Sequence, residues 1–190
     1  MKSLVLTLLS LVPLCGKAQT LFKGFTEGYY VLADEPTVRH TGTMRIEPFG
    51  PSLRVKQDGK LMNQTYKPAQ VLFCGTGKTK YVVAKDFLSG RAHIDADFAQ
   101  QLDSGQVVLL WHTRASGAGG GFDTYLVRRS TDTSLTRLLL YRNEYKEKLL
   151  PIIASRPDLV QLMQDKKFNY DNIYALVHAF NTGQPVALGK

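Results

Sequence analysis

The sequence predicts an α+β fold, with an antiparallel, β-rich N-terminal region followed by about three C-terminal helices. From about residue 28 to 141 the chain is rich in β-branched and aromatic residues, broken by Gly, Pro, Asp and Asn, a composition of short strands and turns. From 143 to 183 the apolar residues recur at helical spacing instead. Strands first and helices afterwards place the helices on one face or end of a sheet.

Residues 1–18 are set apart from this domain. Lys2 precedes an apolar run from Leu4 to Leu14, and Gly16-Lys17-Ala18 places small residues before a cleavage point. This is the pattern of a secretory signal peptide cut after Ala18, the alternative being an uncleaved interfacial helix. The run is about half the length of a bilayer span. Cys15 follows Leu14, whereas a lipid-attachment signal wants a small residue there. The expected protein is therefore periplasmic or secreted, with no integral membrane segment after processing.

Residues 19–183 form one expected domain, and 184–190 a flexible tail. Segments 29–33, 43–47, 53–57, 71–73 and 81–84 read as strands. Leu53 and Val55 alternate with Arg54 and Lys56, as in a half-buried strand. Asp58-Gly59 supplies a tight turn. A short helix is expected next, capped by Asp95 or Asp97, striped by Phe98, Ala99 and Leu102 and ended by Gly105. Val107-Val108-Leu109-Leu110-Trp111-His112 is the candidate central strand, Trp111 being read as core. Residues 125–128 and 137–141 complete a meander, and the glycine-rich 116–121 connects the first two of these strands.

Three helices follow. Tyr145, Leu149, Ile152 and Ile153 share a face of the first, with Pro151 expected in a break or at a new start. Pro157 suits the first position of the second, whose Leu159, Val160, Leu162 and Met163 face inward. Asp171 is the expected cap of the third, where Ile173, Leu176, Val177 and Phe180 keep the i, i+3, i+4, i+7 spacing. Gly183 ends it.

Composition narrows the function classes. The 190 residues are 44% hydrophobic and 10% aromatic, as in an ordinary globular chain. Formal charge is +8; without Lys2 and Lys17 the 24 basic residues fall to 22 against 16 acidic ones, or +6. That excess favours an anionic envelope component, although basic and acidic residues are interspersed as on a solvated mixed surface. Cys74 would be the one cysteine left after processing, and in its apolar run it reads as a small buried hydrophobe.

Several motifs fail on spacing. Gly75-Thr76-Gly77-Lys78-Thr79 resembles the end of a phosphate-binding loop, but Leu72 holds the place of the leading glycine and a strand follows, so a hairpin turn is expected. Asn63-Gln64-Thr65 matches a glycosylation acceptor, which has meaning only in a eukaryotic secretory route. His40, His93, His112 and His178 form no His-x-x-x-His pair. The best cluster is His93-Ile94-Asp95-Ala96-Asp97, where alternate residues of an extended segment could bind a hard cation or do acid–base work. The competing reading is a capped helix start. His178 reads as the edge of an amphipathic helix. Along no strand do aromatics alternate with Arg and Lys, so nucleic acid is not an expected partner.

One series of segments runs through Tyr66-Lys67-Pro68-Ala69-Gln70-Val71-Leu72-Phe73, Phe98 to Leu102 with Gly105-Gln106-Val107-Val108-Leu109-Leu110, and Thr124-Tyr125-Leu126-Val127. It continues in Tyr145-Lys146, Leu149, Pro157-Asp158-Leu159, Phe168-Asn169-Tyr170 and Ala179-Phe180-Asn181. In these segments the chain resembles a loose group of uncharacterised exported proteins of the Bacteroidota. Such chains often carry one cysteine just before the equivalent of Pro157 and another shortly after that of Asn181. Arg156 and non-cysteine residues stand at those places here. The resemblance implies export and the α+β architecture, with no activity, cofactor or site.

Two functions are expected in competition. One is a non-catalytic envelope or secreted protein that binds a macromolecule or glycan, or supports an assembly, without a cofactor. The other is a small hydrolase or metal-dependent enzyme using His93, Asp95, Asp97 and His112.

Overall fold

The computed structural model describes residues 24–47, 50–56, 63–115, 121–165 and 168–187. The N-terminal residues with Cys15, the expected Asp58-Gly59 turn, residues 116–120 and the last three residues lie outside these.

Ten strands form one antiparallel sheet: β1 (Thr26–Leu32), β2 (His40–Ile46), β3 (Leu53–Val55), β4 (Gln64–Tyr66), β5 (Val71–Thr76), β6 (Thr79–Ser89), β7 (Ala92–Asp103), β8 (Val107–Ala115), β9 (Gly121–Arg129) and β10 (Thr136–Leu138). Their order is β10-β9-β8-β7-β6-β5-β1-β2-β3-β4. Two meanders, β1 to β4 and β5 to β10, thus meet where β1 pairs with β5. Three helices close the chain: α1 (Glu144–Ile153), α2 (Pro157–Gln164) and α3 (Ile173–Thr182). The α+β class and the order of its parts are as expected.

β8 lies near the middle of the larger meander and is buried on both sides. Val107 and Leu109 join the helical cluster with Val127, Leu138, Leu149, Ile173 and Leu176. Leu110 faces the other way, with Ala84, Phe87, Ala99 and Leu126. Burial on both faces is why this strand is a continuous apolar run rather than an alternating one. Trp111 is half-buried and meets Tyr125 edge-on at 4.6 Å. A third cluster, Tyr30, Met44, Leu53, Val55, Val71, Cys74, Tyr81 and Phe98, fills the N-terminal half.

The helix expected after Asp95 is a strand. β7 pairs with β6 from Lys80↔Gln101 to Ser89↔Ala92. Its apolar residues serve three different clusters: Phe98 one, Ala99 another and Leu102 the helical one. An irregular register between Gln101 and Asp103 separates the last of these from the rest. A helical stripe was only mimicked by that spacing.

The helices differ in detail from expectation. α1 runs through Pro151 without a break, and the Pro151 carbonyl accepts from Arg129 at 2.6 Å. Pro157 does open α2. The cap before α3 is Asn169, not Asp171: the Asn169 side chain accepts from the Asp171 N–H and starts a 3-10 turn, Tyr170–Asn172. Gly183, at φ 73°, ends α3 and donates to Ala179 O, a left-handed conformation that costs glycine little. The tail is not wholly loose, since Val186 packs on the helical cluster. Arg156 donates to Ala179 O at 3.2 Å, joining the start of α2 to the end of α3.

Candidate functional site

In an antiparallel sheet, residues directly opposite each other point to the same face. Lys80, Gly75, Tyr29 and Thr41 stand in one such row across β6, β5, β1 and β2. Arg45 and Arg54 stand in another, across β2 and β3. Phe25, Arg39 and Lys56 extend the same alternation beyond the strand ends. The opposite face of these strands holds the buried Tyr30, Met44, Cys74 and Tyr81. One face is therefore core, and the other, apart from the buried Val31, carries half-buried and exposed rings and cations.

Two glycines shape the joint that carries that surface, Gly28 on the core side beside Met44 and Gly75 on the ring side. A Cβ on Gly28 would lie 2.3 Å from the Gly75 carbonyl oxygen, so the approach of β1 to β5 needs glycine there. A Cβ on Gly75 would lie 2.6 Å from the Tyr29 ring. The Tyr29 ring therefore rests directly on the sheet. The Arg39 guanidinium covers it at 3.6 Å from the ring centre, and Phe73 meets it edge-on at 6.3 Å.

The pattern repeats beside it. Lys80 lies 4.9 Å from the Phe73 ring centre, while Lys56 and Arg45 lie 4.8 and 5.0 Å from that of Phe25. Each such contact at an exposed site contributes about 0.5–1 kcal/mol. Glu47 Oε1 accepts from Arg45 at 2.6 Å and from Arg54 at 3.2 Å, fixing the two guanidinium groups side by side. Among the described residues Glu27 is the other carboxylate of this face, and it is exposed. The rings act as supports that hold cations outward.

The residues singled out for chemistry are not assembled into one centre. His93 is exposed, with Nε2 donating to Asp86 at 2.7 Å and Nδ1 lying 3.2 Å from Asp95, which is itself 97% exposed. The Asp86 carboxylate holds the His93 pKa above its ordinary value. Asp86 also has φ 53°, and the inward-facing positions of β6 change there from Ala84 to Phe87 and Ser89. His112 is separate and fully buried, its Nε2 donating to Asp97 at 3.0 Å and its ring 4.8 Å from Phe87. His112 Nδ1 has no hydrogen-bond partner, nor has the buried hydroxyl of Ser89.

Among the described residues no three His, Cys, Asp or Glu side chains are arranged to hold a metal ion. A cleft of about 270 Å³ opens beside β1, β2 and the β5–β6 turn, lined by Thr26, Glu27, Arg45, Thr76, Thr79 and Tyr81 among others. Neither His93 nor His112 lines it. Gly77-Lys78 is a hairpin turn, as expected, with Gly77 at φ 57°.

His178 sits at the exposed edge of α3 and bonds Asp103 at 2.7 Å. Cys74 is buried and carries no disulfide. Burial pushes its thiol up to about 12. No helix of the described residues is long and apolar enough to cross a membrane.

The ring-and-cation face escaped sequence reading because its residues alternate across strands, not along them. A clue did exist: Phe25, Glu27 and Tyr29 share one parity, as do Arg39, Thr41, Thr43 and Arg45. Pairing was needed to align the two sets.

Comparison of the chain with protein-family models, with curated proteins and with solved structures finds no match.

Proposed function

We propose that this is an exported, non-catalytic protein of the bacterial envelope or secretome that binds an anionic macromolecule. The observation that carries this reading is the open face where Arg39, Arg45, Lys56 and Lys80 are propped on Tyr29, Phe25 and Phe73. Cations held by rings are already ordered, so an anion that meets them forfeits less side-chain entropy than it would on free lysines. The separation of His93 from the enclosed His112 leaves the hydrolase reading without a centre where substrate, acid and base could meet. Export rests on the leader, Lys2 with its apolar run and Gly16-Lys17-Ala18. Exported material should begin at Gln19 by N-terminal sequencing; a chain retaining Met1, or lipid on Cys15, overturns the processing.

Amide-detected titration of the mature chain with dextran sulfate tests the binding. Shifts confined to residues around Tyr29, Arg39, Arg45, Lys56 and Lys80 support it. No shifts, or shifts spread over every basic residue, overturn it.

A further inference from the structure

Resting on that reading, we infer that the ligand is an extended acidic glycan, with carboxylate or sulfate groups spaced along the chain, lying across the strands from Lys80 to Arg54. Three features of the face decide between polyanions. The first is the state of the rings. Proteins that grip single-stranded nucleic acid stack bases on open aromatic faces. Tyr29 offers none, with Gly75 beneath its ring and Arg39 above it. A ligand there meets a guanidinium plane and is read by charge.

The second feature is charge density. From β6 to β3 is four strand steps, about 19 Å at the usual strand spacing. Over that span Arg39, Arg45, Arg54, Lys56 and Lys80 are set against Glu27 and Glu47, and Glu47 already engages Arg45 and Arg54. Five cations against two carboxylates leave a net excess of three. A stacked nucleic-acid strand, with a phosphate every ~3.4 Å, would bring about five or six charges, more than that excess can meet. A glycan with one acid group on every second sugar would bring fewer charges over the same span, with hydroxyls between them.

The third feature is what fills those gaps. Thr41 and Thr43 of β2 and Thr65 of β4 carry hydroxyls on the same face, at alternate positions or opposite Arg54. They suit the neutral hydroxyl-bearing stretches of a sugar chain. Among the described residues the face has no buried charge that a ligand would leave unpaired.

Three polymers discriminate: hyaluronan, with one carboxylate per disaccharide; a single-stranded oligothymidylate of similar length; and uncharged dextran. Binding of each to the full mature chain is measured at fixed salt, for the native protein, the double variant Arg39→Ala/Lys80→Ala and the control Lys148→Ala on the exposed side of α1. The expected result is hyaluronan bound at least tenfold tighter than the other two. The double variant should lose at least tenfold and the control should stay within twofold. Oligothymidylate bound equally or more tightly, with the same loss in the double variant, overturns the glycan and leaves the binding face standing. Dextran bound as well as hyaluronan overturns the reading by charge. Failure of all three, or equal losses in the double variant and the control, overturns both readings. An unchanged urea midpoint for the double variant ties its loss to contact with the ligand.

Discussion

The side-chain amide of Asn181 pairs with the backbone of Val107 as a neighbouring strand would. Its Oδ1 accepts from the Val107 N–H at 2.9 Å and its Nδ2 donates to the Val107 carbonyl at 2.8 Å. The same Nδ2 lies 3.3 Å from Asp103 Oδ1. Val107 stands where β8 begins, before its pairing with β7 is established at Leu109. The last turn of α3 therefore completes the sheet. Gly105 leaves room for this, since a Cβ there would lie 2.8 Å from Asn181.

Asn181→Ala should strand both backbone groups of Val107, a residue only 1% exposed. Unsatisfied buried polar groups cost about 1–3 kcal/mol each. A loss of about 2–4 kcal/mol in urea unfolding is expected, with Gly105→Ala destabilising through the same contact. A midpoint unchanged by both substitutions would show that the docking of α3 does not depend on this pairing.

Phe180→Ala should also destabilise the whole domain, because Phe180 belongs to the cluster that joins the helices to β8 and β9. Truncating a buried Phe costs about 3–5 kcal/mol, against a typical domain stability of about 5–15 kcal/mol. Removing residues 184–190 should cost less, yet measurably, because Val186 packs on that cluster. If Phe180→Ala leaves the urea midpoint in place, α3 is peripheral to stability.

Cys74 should label slowly in the native protein and rapidly once unfolded. Burial raises Cys74 and Tyr81 to about 12 from ordinary values of 9.0 and 10.0, with Cys74 adding a smaller effect on Tyr81. The fold favours both neutral forms. Their contribution is thus fully present below about pH 9 and is lost as pH rises toward 12. Thiol labelling and alkaline unfolding check this, and native labelling at the unfolded rate would contradict it.

His93 should titrate above the ordinary imidazole value by proton NMR, chiefly through its bond to Asp86. The stabilisation from that pair is present below about pH 6.5 and disappears as pH rises through the raised value. Asp86→Asn should lower the His93 pKa toward its ordinary range. Retention of the raised value in that variant would assign the effect to Asp95 instead.

What the sequence disclosed follows from where each pattern was recorded. β8 was legible because burial on two faces wrote itself into consecutive residues. α2 and α3 were legible because Pro157 and Gly183 mark ends that few other residues tolerate. β7 was misread because Phe98, Ala99 and Leu102 serve three clusters, and their spacing fits a helix as well as a twisted strand. β4 leaves little signal because Gln64, Thr65 and Tyr66 form a short, polar edge. The candidate face left only its parity along β1 and β2 in the sequence, because its order runs perpendicular to the chain. The pairing of β1 with β5 decides which ring stands beside which cation.

That pairing is also the only strand-to-strand join between the two meanders among the described residues. It is interrupted by an irregular register between Val31 and Leu32 and bare of side chains at Gly28 and Gly75. Lys80 and Phe73 stand on one bank of it, Tyr29 and Arg39 on the other. Material gripping both banks acts as a rivet. At a hundred times its dissociation constant it would add about 2.7 kcal/mol against any opening that parts them. Amide protons of β1 and β5 would then exchange more slowly as the surface fills, and the joint itself would report occupancy.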